Sequence, residues 1–337
     1  MFWAVANSNL ALVKYWGKAD ESAKRPASAS LSVTLDSLST AAGVRFSREL
    51  REDAIEGLPA APAARVKEFL DRFRARFGVD GRAIVAIASN FPVAAGLASS
   101  ASTFAALAKA AAGASGLTLS DPELADVARM GSGSACRSIY GGFVEWRPDG
   151  NDSVVEPVAP KEHWPLAILV AVTSERPKAV SSSEGMRRTV ATSPYYRAWI
   201  ESGAADLAAV RDGIRERSLA RVGTVAEANC LRMHAAAMAA SPPLLYWQPA
   251  TLAVMERVWR LRGRGVEAYF TIDAGPQVKV LCERSVADSI ASAIAAVPGV
   301  LRVLRSGPGD APQVVDGPPA WARGANRPAA QTEAVVS

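Results

Sequence analysis

Residues 82–112 constrain the fold more than any other stretch. RAIVAIAS (82–89) is a short apolar run that reads as a buried strand. The Ala- and Leu-rich run from 98 to 112 reads as a buried helix. Between them, NFPVAAGLASSAS (90–102) places a glycine, Gly96, and three hydroxyls, Ser99, Ser100 and Ser102. A strand that passes through a Gly/Ser turn into a buried helix belongs to a layered mixed α/β architecture. The helix start also presents unpaired N–H groups at the positive end of the macrodipole, which favours phosphate. The segment matches neither G-x-x-x-x-G-K-S/T nor G-x-G-x-x-G, and serines acting only as caps account for it as well.

The remaining pattern supports the same class. Leu31, Val33 and Leu35 alternate with polar residues, and a second strand-like run, 41–46, follows a Ser-Leu-Ser-Thr turn. Val66, Phe69, Leu70, Phe73 and Phe77 fall at helical spacing over 62–77, with Gly78 as the stop. Further strands are expected at 141–146, 153–157, 166–173, 266–272, 277–282 and 300–304, and helices at 193–217, 219–239, 251–262 and 285–296. The 337 residues suit two units, with a hinge near 176–183. From about 316 the chain is rich in Pro, Ala and Gly without an apolar period, which predicts a disordered tail.

With 49% hydrophobic and 21% charged residues, the bulk of the chain can build a large core. The longest apolar run, Leu166–Val172, is far short of the ~20 residues of a membrane helix. Asn7, Ser8, Asn9 and Lys14 interrupt any secretory signal, so a cytoplasmic, membrane-free protein is expected. The excess of 38 basic over 33 acidic residues, +5, suits an anionic small molecule. No basic tract with interleaved aromatics points to nucleic acid. Cys136, Cys230 and Cys282 are odd in number and widely spaced, with no CxxC or His/Cys cluster, so no disulfide framework or protein-built metal site is expected.

Three other segments hold the right residue types for chemistry. GSGSACR (131–137) puts glycines and serines beside Arg137, whose planar fork suits a carboxylate or phosphate. A flexible turn with a solvated arginine is the plain alternative. NSNLALVKYWGKAD (7–20) runs an apolar strand carrying Lys14 into Tyr15, Trp16, Gly17 and Lys18, although lysines at strand ends are common at surfaces. FTIDAGP (270–276) places Asp273 where a strand ends, a position for a catalytic acid or an ordinary turn residue.

Together these segments resemble one family, the diphosphomevalonate decarboxylases of the GHMP small-molecule kinase superfamily. KYWGKAD (14–20), SLSVTL (30–35), NFPVAAGLASSAS, RMGSGSACRSIYGGFVEW (129–146), SSSEGM (181–186), ATSPYY (191–196), NCLRMHA (229–235) and TIDAGP (271–276) occur in the family's order. The resemblance implies a GHMP-kinase fold, α/β (α+β). A ribosomal-S5-domain-2-like N-terminal ATP/substrate domain (1–178) would be followed by a smaller C-terminal α/β domain (179–315) and a tail (316–337).

The resemblance also implies a reaction. ATP and Mg²⁺ would serve decarboxylation of 5-diphosphomevalonate to isopentenyl diphosphate in isoprenoid synthesis, on a homodimer. By resemblance, Asp273, Arg137 and Lys18 are catalytic, with Lys18 near the acid and the substrate carboxylate. Asn9, Tyr15, Trp16, Gly17, Ser132, Gly133, Ser134, Ala135, Cys136 and Ser183 join Lys18 and Arg137 in the substrate pocket. Gly96, Leu97, Ala98, Ser99, Ser100 and Arg72 take the nucleotide. RPASASLS departs from the family pattern at Ser28 and Ala29, so a phosphomevalonate decarboxylase stands as an alternative, beside a mevalonate 3-kinase that stops at the phosphorylated alcohol.

Overall fold

The computed structural model describes residues 1–91 and 99–323. The chain opens with β1 (Phe2–Val13), a ribbon of β2 (Lys18–Asp20) and β3 (Arg25–Pro26), the long β4 (Ser30–Ser47) and β5 (Ala54–Glu56). Then come α1 (Ala60–Phe77), β6 (Arg82–Ser89), α2 (Ser99–Ala114) and α3 (Asp121–Gly131). A 3₁₀ turn, Gly133–Ile139, leads to β7 (Phe143–Asp149), β8 (Asp152–Ala159) and β9 (Leu166–Val172). A helical stretch comprises α4 (Ser182–Thr192), α5 (Tyr196–Glu216), α6 (Leu219–Met238) and α7 (Pro249–Arg262). The last elements are β10 (Ala268–Ile272), β11 (Val278–Glu283), α8 (Ala287–Ala295), β12 (Arg302–Ser306) and β13 (Gln313–Val315).

Two sheets result. One runs β13-β1-β4-β6-β5, with β7 on β4 and β8 on β7, and the other runs β10-β11-β9-β12. Helix α2 lies against the first sheet through Ala105, Ala106, Leu107, Ala108, Ala110 and Ala111, all fully buried. Phe69 and Phe73 of α1 fill the same core. Gly78 ends α1 in the left-handed conformation at φ 64°, as its position in the sequence suggests. Helix α3, which the apolar pattern does not announce, is started by a Ser120/Glu123 capping box.

A second core joins the sheets. Leu10, Leu12, Leu31, Val33 and Leu35 meet Leu166, Ile168, Val170 and Val172 of β9, with Val210 and Ile214 of α5 and Val222 of α6. The alternate residues Ala167, Leu169 and Ala171 face a third core under α7 and α8. Burial on both faces explains the unbroken apolar run of β9.

One expectation is corrected, and two observations bear on the domain expectation. The runs 31–35 and 41–46 form one strand, not two, because the 37–40 segment stays extended. Its Ser39 and Thr40 hydroxyls find partners in Asn7, Ser89 and Ser102. The pairing of β4 with β1 shifts register between Asn7 and Asn9, so the strand bends there instead of breaking. Next, β9 pairs with β11 and β12, so it belongs to the second sheet although it precedes residue 178. Finally, the tail is ordered to 323: Ala322 is buried against Ala41 and Ala88, and the preceding β13 pairs with β1. Residues 324–337 lie outside the described residues.

Candidate active site

Asp273 follows β10 at a tight turn in which the Gly275 N–H donates to the Asp273 carbonyl at 2.7 Å. Thr271 and Lys279 are cross-strand partners on β10 and β11. Asp273 lies two residues beyond Thr271, on the same face, and there Lys279 Nζ is 3.1 Å from its Oδ2. Its other oxygen, Oδ1, accepts from Lys14 Nζ at 2.7 Å. Lys14, at the end of β1, also donates to the Ala11 carbonyl at 2.9 Å. Burial alone would raise the Asp273 carboxyl, but the two ammonium groups hold it well below the usual carboxylate range. Lys279 itself is lowered by burial, against the pull of Asp273. Lys178 reaches the same turn, donating to the Ala274 carbonyl at 2.9 Å and to Ser182 Oγ at 2.6 Å. Burial, opposed by Asp273, pushes Lys178 down to about 8.

Arg137, in the 3₁₀ turn, is 2% exposed. Its Nε donates to Ser32 Oγ at 3.0 Å, Nη1 to Ser30 Oγ at 2.6 Å and Nη2 to Asn9 Oδ1 at 3.3 Å. These acceptors are all neutral, and among the described residues no carboxylate pairs with it. Burial works against its charge. A buried guanidinium held only by neutral oxygens is a ready receptor for an arriving anion. Asn9 continues the frame, donating to the Ser134 carbonyl at 3.1 Å and to Ser138 Oγ at 2.8 Å. Tyr15 stacks obliquely on Trp146 at 4.7 Å. Its hydroxyl is buried and finds no partner among the described residues, and desolvation raises its pKa strongly.

The phosphate-binding expectation rests on α2. Ser99 and Ser100 are its first two residues, and Ser100 Oγ is 3.3 Å from Ser132 Oγ, so the two serine clusters meet. Gly96, Leu97 and Ala98 lie outside the described residues. Nearby, Lys24 donates to the carbonyls of Met130 and Gly131, and Arg65 also donates to Gly131 at 3.0 Å. Burial, then the charges of Arg65 and Arg72, push Lys24 down to about 8. Lys24 and Arg65 thus sit on the last carbonyls of α3, next to Ser132, which meets the start of α2; cations near a helix N-terminus fit a polyphosphate. The serine hydroxyls are hard oxygen donors of the kind a nucleotide-borne Mg²⁺ takes. No group of three His, Cys, Asp or Glu among the described residues is placed to hold a metal.

Several predicted residues stand elsewhere. Lys18 Nζ pairs with Glu21 at 2.5 Å, and the ammonium partners of Asp273 are Lys14 and Lys279 instead. Ala135 and Cys136 point into the first core, and burial pushes the Cys136 thiol up to about 12, so only their backbone could serve a ligand. Trp16 is 2% exposed among Met186, Trp199, Met233 and Tyr246, with its N–H on Thr189 Oγ1 at 3.0 Å, which makes it a packing residue. Gly17, at φ 120°, lies under the Tyr196 hydroxyl, and a Cβ there would come within 1.9 Å of it. Gly133 similarly faces the Tyr15 hydroxyl. Ser183 is exposed in the first turn of α4, and its neighbour Ser182 takes the Lys178 bond. Arg72 is paired with Glu68 at 2.6 Å and reaches the Ser22 carbonyl.

Sequence reasoning singled out the segment that carries Lys14 but named Lys18 as its catalytic lysine, and it missed Lys178 and Lys279 as site residues. The available signal was a lysine inside a buried apolar run, in LALVK and again in QVKVLC.

Comparisons with known proteins assign the chain to a family. Residues 6–155 match the diphosphomevalonate decarboxylase-like N-terminal domain, and residues 168–305 match the mevalonate 5-diphosphate decarboxylase C-terminal domain. The human and bovine diphosphomevalonate decarboxylases are each 38% identical over 317 residues, covering 86% of this chain and 78% of theirs. A mevalonate diphosphate decarboxylase structure from Staphylococcus aureus superposes with a TM-score of 0.88 at 36% identity, covering 94% of this chain and 98% of that one. The structure named MDDEF, solved in complex with MVAPP, AMPPCP and magnesium, superposes with a TM-score of 0.87 at 39% identity, covering 94% and 99%. With both halves matched in order and relatives at 38% identity over most of the chain, the chain belongs to the diphosphomevalonate decarboxylase family.

Proposed function

We propose that this chain catalyses the ATP-dependent decarboxylation of mevalonate diphosphate. ATP and the substrate would give ADP, inorganic phosphate, CO₂ and isopentenyl diphosphate. The observation that carries this reading is the pair of buried lysines, Lys14 and Lys279, on the half-buried Asp273, with the buried Arg137 close enough to feel the Asp273 charge.

Each part has a task in such a reaction. The C3 hydroxyl is tertiary, crowded and a weak nucleophile. Phosphoryl transfer through a loose transition state needs that hydroxyl aimed more than it needs a strong base. Asp273, held ionised by two lysines, suits that orienting role and then faces the positive character that develops at C3 when phosphate leaves. Arg137, fixed by Ser30, Ser32 and Asn9, would hold the substrate carboxylate until it departs as CO₂. Ser132 and Ser134, with the unpartnered Tyr15 hydroxyl, line the substrate side. Ser99, Ser100, Lys24 and Arg65 take the nucleotide side. Mg²⁺ bound with ATP would supply charge neutralisation at the phosphates.

The pairing of β9 supports a division between the two units before Leu166, with the second unit running to β12 and β13 returning to the first sheet. A homodimer and a cytoplasmic location complete the reading. No helix among the described residues is long and apolar enough to cross a membrane. The deciding experiment is mass spectrometry of the products from ATP, Mg²⁺ and either mevalonate 5-phosphate or 5-diphosphate. Release of CO₂ with isopentenyl diphosphate is expected from the diphosphate. A 3-phosphorylated product accumulating without CO₂ would replace the reading with a kinase, and preference for the monophosphate would change the substrate.

A further inference from the structure

We propose that helix α6 positions both members of the Lys14–Asp273 pair, and that Asn229 is the positioning residue through which it acts on Lys14. The inference rests on the reading of that pair as part of the reacting centre. Lys14 comes from the first sheet and Asp273 from the second, so their contact depends on how the two sheets are held. Asn229, 1% exposed, accepts the Lys14 backbone N–H on Oδ1 at 2.8 Å. Its Nδ2 donates to Asp206 Oδ2 of α5 at 2.7 Å. Arg232 then grips both Asp206 oxygens at 2.8 Å and fixes that carboxylate.

The chemistry of this relay restricts the side chain at its centre. Lys14 N–H can only donate and an ionised carboxylate can only accept, so the residue between them must accept on one side and donate on the other. A planar amide does both. Its orientation is therefore dictated by its neighbours.

On Asp273 the same helix acts through the preceding residue. Cys230 Sγ accepts the Ile272 N–H at 3.1 Å and lies 3.3 Å from the Ile272 carbonyl. His234, one turn further along, places Nε2 3.2 Å from that carbonyl, with its ring braced by Trp247 at 4.8 Å. The backbone just before Asp273 is thus held at both its donor and its acceptor. The NCLRMHA segment, which no substrate contact explains, becomes a strap across the two sheets.

The test uses full-length protein. Asn229→Leu keeps the number and branching of the side-chain heavy atoms and removes both hydrogen bonds. Misplacing a reacting group by an ångström costs on the order of 10²-fold in rate, so kcat should fall by about that factor. The KM values for ATP and mevalonate diphosphate should stay within about threefold, since the binding groups are untouched. The exchange pair Asn229→Asp with Asp206→Asn restores one donor and one acceptor at the junction and should recover at least about tenfold of the loss. A folded Asn229→Leu with wild-type kcat, or a loss confined to KM, overturns the proposal.

If Asn229→Leu does not fold, Arg232→Ala at the exposed end of the relay should lower kcat by about threefold or more, and an unchanged kcat there overturns it equally. Should the wild type fail to turn over mevalonate diphosphate, the functional reading falls while the strap is still decided by acetylation of Lys14. Faster labelling in folded Asn229→Leu or Arg232→Ala supports it, and labelling at the wild-type rate overturns it.

Discussion

Lys14 and Asp273 stand 259 positions apart in the chain, yet their side chains meet at 2.7 Å, with Lys279 closing on the other carboxylate oxygen at 3.1 Å. Two buried ammonium groups over one carboxylate leave a net positive charge around Asp273, which attracts an anionic reactant and keeps Asp273 ionised.

Asp273→Asn keeps the size and one acceptor but removes the charge. A positioned acid–base or orienting group contributes about 10²–10⁴-fold, so kcat should drop by that order while the KM values hold. Steady-state kinetics beside the melting temperature check this. A folded variant keeping more than about a tenth of wild-type kcat would show Asp273 to be an ordinary turn residue.

Lys14→Met removes one of the two charges that hold the Asp273 carboxyl down, leaving burial to push it up. Its proton is then taken up at higher pH. The acid limb of the kcat profile, absent from the wild type near neutrality, should move into the measurable range, and the activity deficit should widen as pH falls from 8 to 5. A deficit independent of pH would show that Lys14 does not govern the charge of Asp273.

Arg137→Lys preserves the charge and loses the planar fork that now bonds Ser30, Ser32 and Asn9. An ammonium cannot satisfy those acceptors and a carboxylate together. Decarboxylation should fall by at least about 10-fold, since charge-assisted bonds are worth roughly 1.5–3 kcal/mol. Near-native turnover would reduce Arg137 to a structural residue.

Lys178 in the free enzyme loses its proton near pH 8, because burial lowers it more than Asp273 raises it. With the ammonium serving the anionic ligands, kcat/KM should decline as pH rises through about 8. Lys178→Arg keeps its charge throughout, so the alkaline limb should shift upward. A limb at the same pH in both proteins would exclude Lys178 as its origin.

His234 is pushed down from 6.5 to about 3, chiefly by burial. The unfolded chain therefore binds a proton below about 6.5 that the folded ring refuses. Stability from this group is complete above pH 6.5 and is lost progressively as pH falls toward 3. Urea midpoints should decline between pH 6.5 and 5 in the wild type, and less steeply in His234→Gln. Parallel curves would place the pH dependence on other groups.

Much of the fold was legible in the chain. Strand β6 and the stop of α1 at Gly78 follow from local pattern, because burial on one face imposes a period and a left-handed terminus selects glycine. Asp273, Arg137 and the serines of α2 were visible as residue types placed at strand ends and a helix start. Lys18 drew attention as the lysine beside a glycine, while the lysine that reaches the aspartate is Lys14, four residues earlier and inside an apolar strand.

Local sequence determined which segments are strands and helices and where turns could hold an anion, since hydrophobic period and capping act over a few residues. Only the tertiary structure decided which charges meet. Lys14, Lys178, Asp273 and Lys279 are assembled by the shared core between the sheets and by α6, and contacts spanning more than 200 residues leave no periodic trace in the chain. The same closure ordered the 316–323 segment: Ala322 is held against the first sheet because Ala41 and Ala88 leave room for it, a complementarity that exists only once the sheet has formed.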